Sequence, residues 1–326
     1  MSEQNWPAYN TAQTHEKDLF MRLLAELCET VEEPGNADPW QRGRKPIPMK
    51  HMVFACAFKV YTTFSIRRYG CDAALSVERH YISKTPRRST ISEYMCDENM
   101  THILHELIAI SALPLQSVER DFAIDSTGLR LTSFNDYCRV THHTGREHEW
   151  LKLHAICGVK TNIIPAAITG LANHSSDTRE FIPLLLTTVG KGFKVEEISA
   201  DKAYLSRNNL DAAVELGAIP FIPFKEGSTG KPRGHDWIWR RMYNLFTYNQ
   251  SQFMEHYHKR SNVESTFNMI KSKFTDLIRS KDSVAQTNEA LIKVLCHNIC
   301  VLIQEMHELG IDPQFTDNIP NLRTER

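Results

Sequence analysis

The segment Tyr257-His-Lys-Arg260-Ser-Asn-Val-Glu264-Ser-Thr-Phe-Asn-Met-Ile-Lys271 constrains this chain most, because a helical period divides it into two faces that cannot share one environment. At about 100° per residue, Tyr257, Arg260, Glu264 and Lys271 fall within an arc of about 60°. Val263, Phe267, Ile270, Phe274 and Leu277 make a separate stripe about a quarter turn away. The stripe predicts a seat on an apolar core, and the other face leaves one acid, two bases and a phenol for chemistry. A carboxylate flanked by Arg and Lys suits a site where Glu holds a hard metal ion and the cations bind the phosphates of a polyanion. It also suits an exposed helix laced with ion pairs, in which Arg260 and Glu264 are the one i,i+4 pair of this face.

Two upstream acids favour the site. Asp125 closes the apolar run Phe122-Ala-Ile-Asp125, and Asp201 closes Ile198-Ser-Ala-Asp201. In open α/β sheets ligands gather at the carboxyl ends of strands, so an acid there faces a site rather than a core. Taken singly, Asp125 reads as the cap of a turn with Ser126 and Thr127, and Asp201 as the start of a loop. Together with Glu264 they are three acids from two strand ends and a later helix, the composition of a two-cation phosphodiester site.

In these residues the chain resembles the DDE transposases of bacterial insertion sequences, in the group that carries the Tyr-Arg-Glu-Lys signature. The resemblance rests on Asp125 in AIDSTG, Asp201 in ISADKAYLS, the helix motif and the joining segment WLKLHAICGVKTNIIPAAITGLANHSSDTREF, and spans roughly residues 115 to 305. It implies an α/β fold with a ribonuclease-H-like mixed sheet flanked by helices, and an enzyme that cleaves transposon ends and transfers the strands. Asp125, Asp201 and Glu264 would be catalytic and would hold two magnesium ions, with manganese able to substitute. Tyr257, Arg260 and Lys271 would hold DNA phosphates near the transposon terminus, and Lys202, beside the second acid, would add a backbone contact. The implied partners are double-stranded DNA, both transposon ends and target, and a second copy of the chain in a homodimer on paired ends. Only 62 residues separate Asp201 from Glu264, which leaves no room for a large inserted domain. Rival readings are a metal-dependent nuclease on the same fold, a transposase-derived DNA-binding protein without transposition activity, and a recombinase with a covalent nucleophile, for which Tyr257 is the candidate.

A formal net charge of −1 hides strong segregation. Residues 1 to 40 carry two Lys/Arg against eight Asp/Glu, residues 41 to 90 carry eleven against two, and residues 225 to 281 carry eleven against five. The two basic blocks are where a polyanion would lie, with Arg87 and Arg88 as DNA contacts in the first. The eight cysteines form no C-x2-C pair and no apolar run approaches a membrane span, so the expectation is a cytoplasmic protein, associated with the nucleoid when bound to DNA, and no membrane partner. Cys296, His297 and Cys300 sit among Leu291, Val294, Leu295, Ile299 and Leu302, which reads as core thiols rather than a metal site.

The expected organisation is an N-terminal all-helical, helix-turn-helix-like DNA-binding domain over residues 1 to 114, a catalytic domain over 115 to 312 and a tail over 313 to 326. Residues 1 to 15 read as loose, His15 to Glu32 as a first helix, Pro34 to Pro48 as a linker, and Met49 to Ile66 and Cys71 to His80 as further helices. Thr90-Ile-Ser-Glu93 has the capping-box form, which predicts a short groove-entering helix starting at Thr90. Strands are expected at Asp121 to Ser126, Leu151 to Val159, Ile163 to Thr169, Val195 to Ala200 and Ile219 to Phe224, with helices at Asp177 to Val189 and Ser206 to Leu216.

Overall fold

A computed structural model describes residues 5–33, 46–131, 150–171, 176–231 and 237–315. The chain divides into two compact units, one made of Met1–Pro114 with Asp282–Arg326 and the other of Leu115–Lys281. In the first unit the described elements are helices: α1 (Trp6–Cys28), α2 (Met49–Tyr61), α3 (Gly70–Glu78), α4 (Arg88–Met95), α5 (Glu98–Ala112) and α11 (Ser283–Glu308). α1 begins nine residues before its expected start, because Asn5 accepts from the Ala8 N–H and a proline occupies the first turn. α4 begins at Arg88 rather than Thr90, so the capping box does not form and Arg87 stands at the N-cap without a side-chain hydrogen bond. The Pro34–Pro48 linker falls mostly outside the described residues.

α11 packs on α5, α1 and α2, so residues 282 to 312, expected in the catalytic domain, belong with the helical unit. Its buried surface runs almost all round, from Leu291, Leu295 and Ile299 to the polar Asn288 and Asn298. Both asparagines are satisfied: Asn288 donates to the carbonyls of Met95 and Asp97, and Asn298 to Ile108 and Ser111. Paired in this way they fix the register of the helix without an unsatisfied polar group in the core. Cys296 and His297 are buried there, and Cys296 donates to the Ala57 carbonyl at 3.5 Å, as expected of a core thiol.

The second unit is mixed α/β around a five-stranded sheet of order β3-β2-β1-β4-β5. The strands are β1 (Asp121–Arg130), β2 (Trp150–Gly158), β3 (Ala166–Leu171), β4 (Glu197–Ala200) and β5 (Ile219–Phe221). β1, β2 and β3 are antiparallel neighbours, and β4 and β5 continue parallel to β1. Between them run α6 (Asp177–Gly190) and α7 (Arg207–Glu215), and after them α8 (Trp237–Tyr248), α9 (Gln250–Tyr257) and α10 (Ser261–Phe274). Because side chains alternate along β1, Ala123 and Asp125 face α10, while Phe122, Ile124 and Ser126 face α6. β3 begins at Ala166, three residues later than expected, after a turn in which Asn162 adopts φ 65°.

Candidate active site

Asp125 lies in the middle of β1, not at a strand end as the apolar run suggested. Ile124 pairs with Ala200 across the parallel β1–β4 ladder, so Asp201, the next residue, leaves the end of β4 level with Asp125. Glu264 comes from the first turn of α10. That helix is held beside β1 at both ends: Lys259 binds Asp121 at 2.6 Å and Glu197 at 2.7 Å, and Arg130 grips Asp276 through two bonds of 2.6 and 2.7 Å. The stripe Val263, Phe267, Ile270 and Phe274 is buried, as its spacing predicted. Each such side chain contributes about 1.5 to 3 kcal/mol. Leu277 falls beyond the helix, past Thr275 at φ 64°, a strained value for a non-glycine residue.

Arg260 ties the acids together: one guanidinium nitrogen binds Asp125 and another binds Glu264 at 2.5 Å. Burial raises the pKa of Asp125; the Ser126 N–H and Arg260 oppose this, and the nearby charges of Asp201 and Glu264 push it further up. Asp125 therefore feels the charges of both other acids. Although burial opposes its charge, Arg260 is held above its usual value by Asp125, Tyr257 and Glu264. The Tyr257 ring lies 5.8 Å from that guanidinium, and its phenol is raised by burial and by Asp201 and Asp125, against the pull of Arg260.

The four signature residues do not share one continuous helix. Tyr257 ends α9, His258–Arg260 form a 3-10 turn, and Glu264 and Lys271 belong to α10. Tyr257, Arg260 and Glu264 still converge; Lys271 does not join them. Burial lowers its pKa, against the attraction of Asp276, which lies just beyond the end of the helix. Lys202 is exposed on the 3-10 turn Lys202–Tyr204 that follows Asp201. Arg87 and Arg88 belong to the helical unit.

A second cluster, absent from the sequence reading, occupies the α6 face behind these acids. His154 is fully buried, and its Nδ1 lies 3.0 Å from the Tyr204 hydroxyl. Asp177, at the start of α6, accepts from the Ser126 hydroxyl at 3.1 Å and pairs with Lys152 at 2.6 Å. Burial, with help from Lys152, lowers His154 to about 4, so its ring is neutral at pH 7. The turn after Asp201 is pinned by the same elements: Thr178 donates to the Ala203 carbonyl, and Asn209 donates to those of Tyr204 and Thr178. The available signal was a histidine in an otherwise apolar strand and an acid opening a helix, but only the β1–β2 register, with Ser126 opposite His154, brings them together.

Three carboxylates supply the all-oxygen donor set a hard divalent cation requires. Among the described residues, however, no three His, Cys, Asp or Glu side chains stand close enough to hold a metal ion. The Arg260 guanidinium occupies the place between Asp125 and Glu264 instead. Among the described residues no helix is long and apolar enough to cross a membrane.

Acids on β1 and α10 bridged by one arginine, with a third leaving β4 beside them, agree with a comparison against protein families: the Transposase DDE domain model matches residues 116–299. The chain belongs to that family and is a DDE transposase of an insertion sequence. Neither a curated protein nor a solved structure matched the chain.

Proposed function

We propose that this transposase binds double-stranded DNA at transposon ends, cuts it by metal-dependent phosphodiester cleavage and transfers the freed strand to target DNA. The observation that carries the reading is the bridge Arg260 makes between Asp125 and Glu264, with Asp201 level with Asp125 across the β1–β4 ladder, within a sheet unit that belongs to the DDE family. The sheet order, with the acids on adjacent strands and a following helix, supports a ribonuclease-H-like core. The three acids would hold magnesium or manganese, and two such ions would activate an attacking oxygen and stabilise the leaving one.

The chain's own residues do the rest. Arg260 balances part of the negative charge of the acids, which keeps three carboxylates together before a cation or a phosphate arrives. When other cations take over that charge, the guanidinium is the nearest fork-shaped donor for a phosphate at the scissile end. Tyr257, stacked beside it, offers a hydroxyl and an apolar wall to the same phosphate. Lys202, exposed on the turn after Asp201, reaches backbone further out, and Lys271 would need to leave its Asp276 neighbour to do so. His154, Tyr204, Asp177, Lys152 and Ser126 are positioning residues that hold the turn carrying Asp201 against β1 and β2.

The helical unit would supply further DNA contacts, Arg87 and Arg88 among them, in a helix-turn-helix-like arrangement of α3 and α4, and a homodimer would hold two ends. The test is cleavage and joining of labelled end duplexes with magnesium. Wild type should give both cut and joined products, free of covalently attached protein. Asp125→Asn, Asp201→Asn and Glu264→Gln should give neither while still binding duplex. Cutting without joining would mean a nuclease, and activity in any of the three variants would remove that acid from the mechanism.

A further inference from the structure

The helical unit contains a cavity of about 430 Å³ whose wall carries three arginines, Arg67, Arg87 and Arg88, together with Tyr69, Gly70 and Ser89. Several other cations of this unit are already matched. Lys17 binds Asp72 at 2.8 Å, Lys50 binds Glu29 at 2.7 Å and Arg79 binds Asp18 at 2.5 Å. Arg67, Arg87 and Arg88 make no ion pair among the described residues. Three like charges around one concavity repel one another, and an anion placed between them removes that repulsion.

The backbone round the cavity points the same way. α3 starts at Gly70 and α4 at Arg88, and neither N-terminus has a side-chain hydrogen bond to its first turn. The uncapped N–H groups, at the positive ends of two helices, are suited to an anion. A Cβ added at Gly70 would meet nothing within 4 Å, and its φ lies outside the left-handed region, so this glycine leaves backbone open without being needed for a turn. Tyr69, also in the wall, is 1% exposed, and its hydroxyl has no hydrogen-bond partner among the described residues. Asp72, the acid in the first turn of α3, is held by Lys17 and does not line the cavity.

We propose that this cavity is a phosphate site that takes a backbone phosphodiester of duplex DNA, gripped by Arg67, Arg87 and Arg88 and by the starts of α3 and α4. The proposal rests on the reading of DNA as the partner, and assigns to Arg87 and Arg88 a grip on backbone rather than the reading of bases. A phosphate grip fixes where a protein sits on the duplex and carries no base identity of its own.

The test uses the full chain, a fluorescent end duplex, an unrelated duplex of the same length, and inorganic phosphate as a separate probe. Replacing both arginines (R87Q with R88Q) should weaken binding to both duplexes by the same factor, tenfold or more, and lower the salt slope by about 0.9, the value for one lost phosphate contact. Gly70→Leu should weaken binding similarly while every charge remains, since it fills the cavity from open backbone. Thermal melting of each variant without DNA should match wild type, which separates lost contact from lost fold. Unchanged affinity and slope in both variants would overturn the site. So would an effect on the end duplex alone, which would mean base reading, or variants that lose only a stabilisation of wild type by millimolar inorganic phosphate, which would mean a free-phosphate site. If wild type binds neither duplex, the reading of DNA as partner fails before this one is reached.

Discussion

The arginine in the sheet unit and the arginines of the helical unit carry the same charge in opposite states. Arg260 is saturated, bound at once to Asp125 and Glu264, and Lys259 beside it is equally occupied by Asp121 and Glu197. Arg67, Arg87 and Arg88 have no such partners among the described residues. In sequence the two basic blocks look alike, each with eleven Lys/Arg. The difference shows that a count of cations does not say which are available to a polyanion. In the sheet unit acids beside them answer Arg260 and Lys259. Among the described residues of the helical unit, Asp18 answers Arg79 and Glu29 answers Lys50.

The largest effect expected from this contrast is on catalysis. Asp201→Asn should lower end cleavage by on the order of a thousandfold or more, as loss of a metal-holding acid does. Asp125→Asn should do the same without lowering the melting temperature, because the burial that disfavours its charge, and the repulsion from Asp201 and Glu264 that adds to it, disappear with that charge. A clear loss of stability would mean that Asp125 serves the fold rather than the site.

Arg260 should behave differently from Arg87. Arg260→Ala leaves Asp125, only 16% exposed, without its counter-charge, and should cost on the order of 2 kcal/mol in denaturant unfolding as well as cleavage. Arg87→Ala should stay within about 0.5 kcal/mol of wild type, as a surface change with no partner to abandon. Equal stability in the two variants would erase the contrast.

A third test uses pH. The folded-state pKa of His154 is lowered to about 4, below its ordinary 6.5, so the fold holds the ring neutral. Above 6.5 folded and unfolded chains both have a neutral ring and the stability it supports is fully present. Below 6.5 the unfolded chain takes up the proton first, so stability falls as pH drops from 6.5 towards 4, by about 3 kcal/mol at most. Urea melts at pH 7 and pH 5 should differ by less in His154→Gln than in wild type. Tyr204→Phe, which removes only the hydroxyl on that ring, should cost about 1 kcal/mol and reduce cleavage about tenfold, the usual scale for a supporting hydrogen bond beside a metal site. Unchanged cleavage would limit the cluster to folding.

The buried stripe of α10 was legible because it follows from one helical period. What was not legible depends on pairing across the fold. Nothing near Arg260 in sequence announces Asp125 as its partner, 135 residues away. Ser126, His154 and Asp177 meet only once the β1–β2 register and the position of α6 are fixed. α11 was assigned to the wrong unit because a helix apolar on nearly every side does not specify which elements it packs against. The capping motif at Thr90 misled for a different reason: the backbone turns into helix two residues earlier, at Arg88, so the threonine sits inside the first turn.

That last point yields the smallest effect and the finest test of the arginine contrast. Were Thr90 an N-cap, Thr90→Ala would cost about 1 kcal/mol. With Arg87 at the N-cap and no side-chain bond there, the change should stay within about 0.5 kcal/mol. Asp97 provides the internal standard, since its carboxylate accepts from the Asn99 N–H at the start of α5 and Asp97→Ala should cost about 1 kcal/mol. Conversely, Arg87→Asp places a good cap and a negative charge at a helix start, which should stabilise the free chain slightly. In the same variant the carboxylate would compete for the N–H groups that the proposed phosphate needs, so duplex binding should fall while stability rises. A variant that gains stability and keeps its affinity for duplex would show that the start of α4 takes no part in holding DNA.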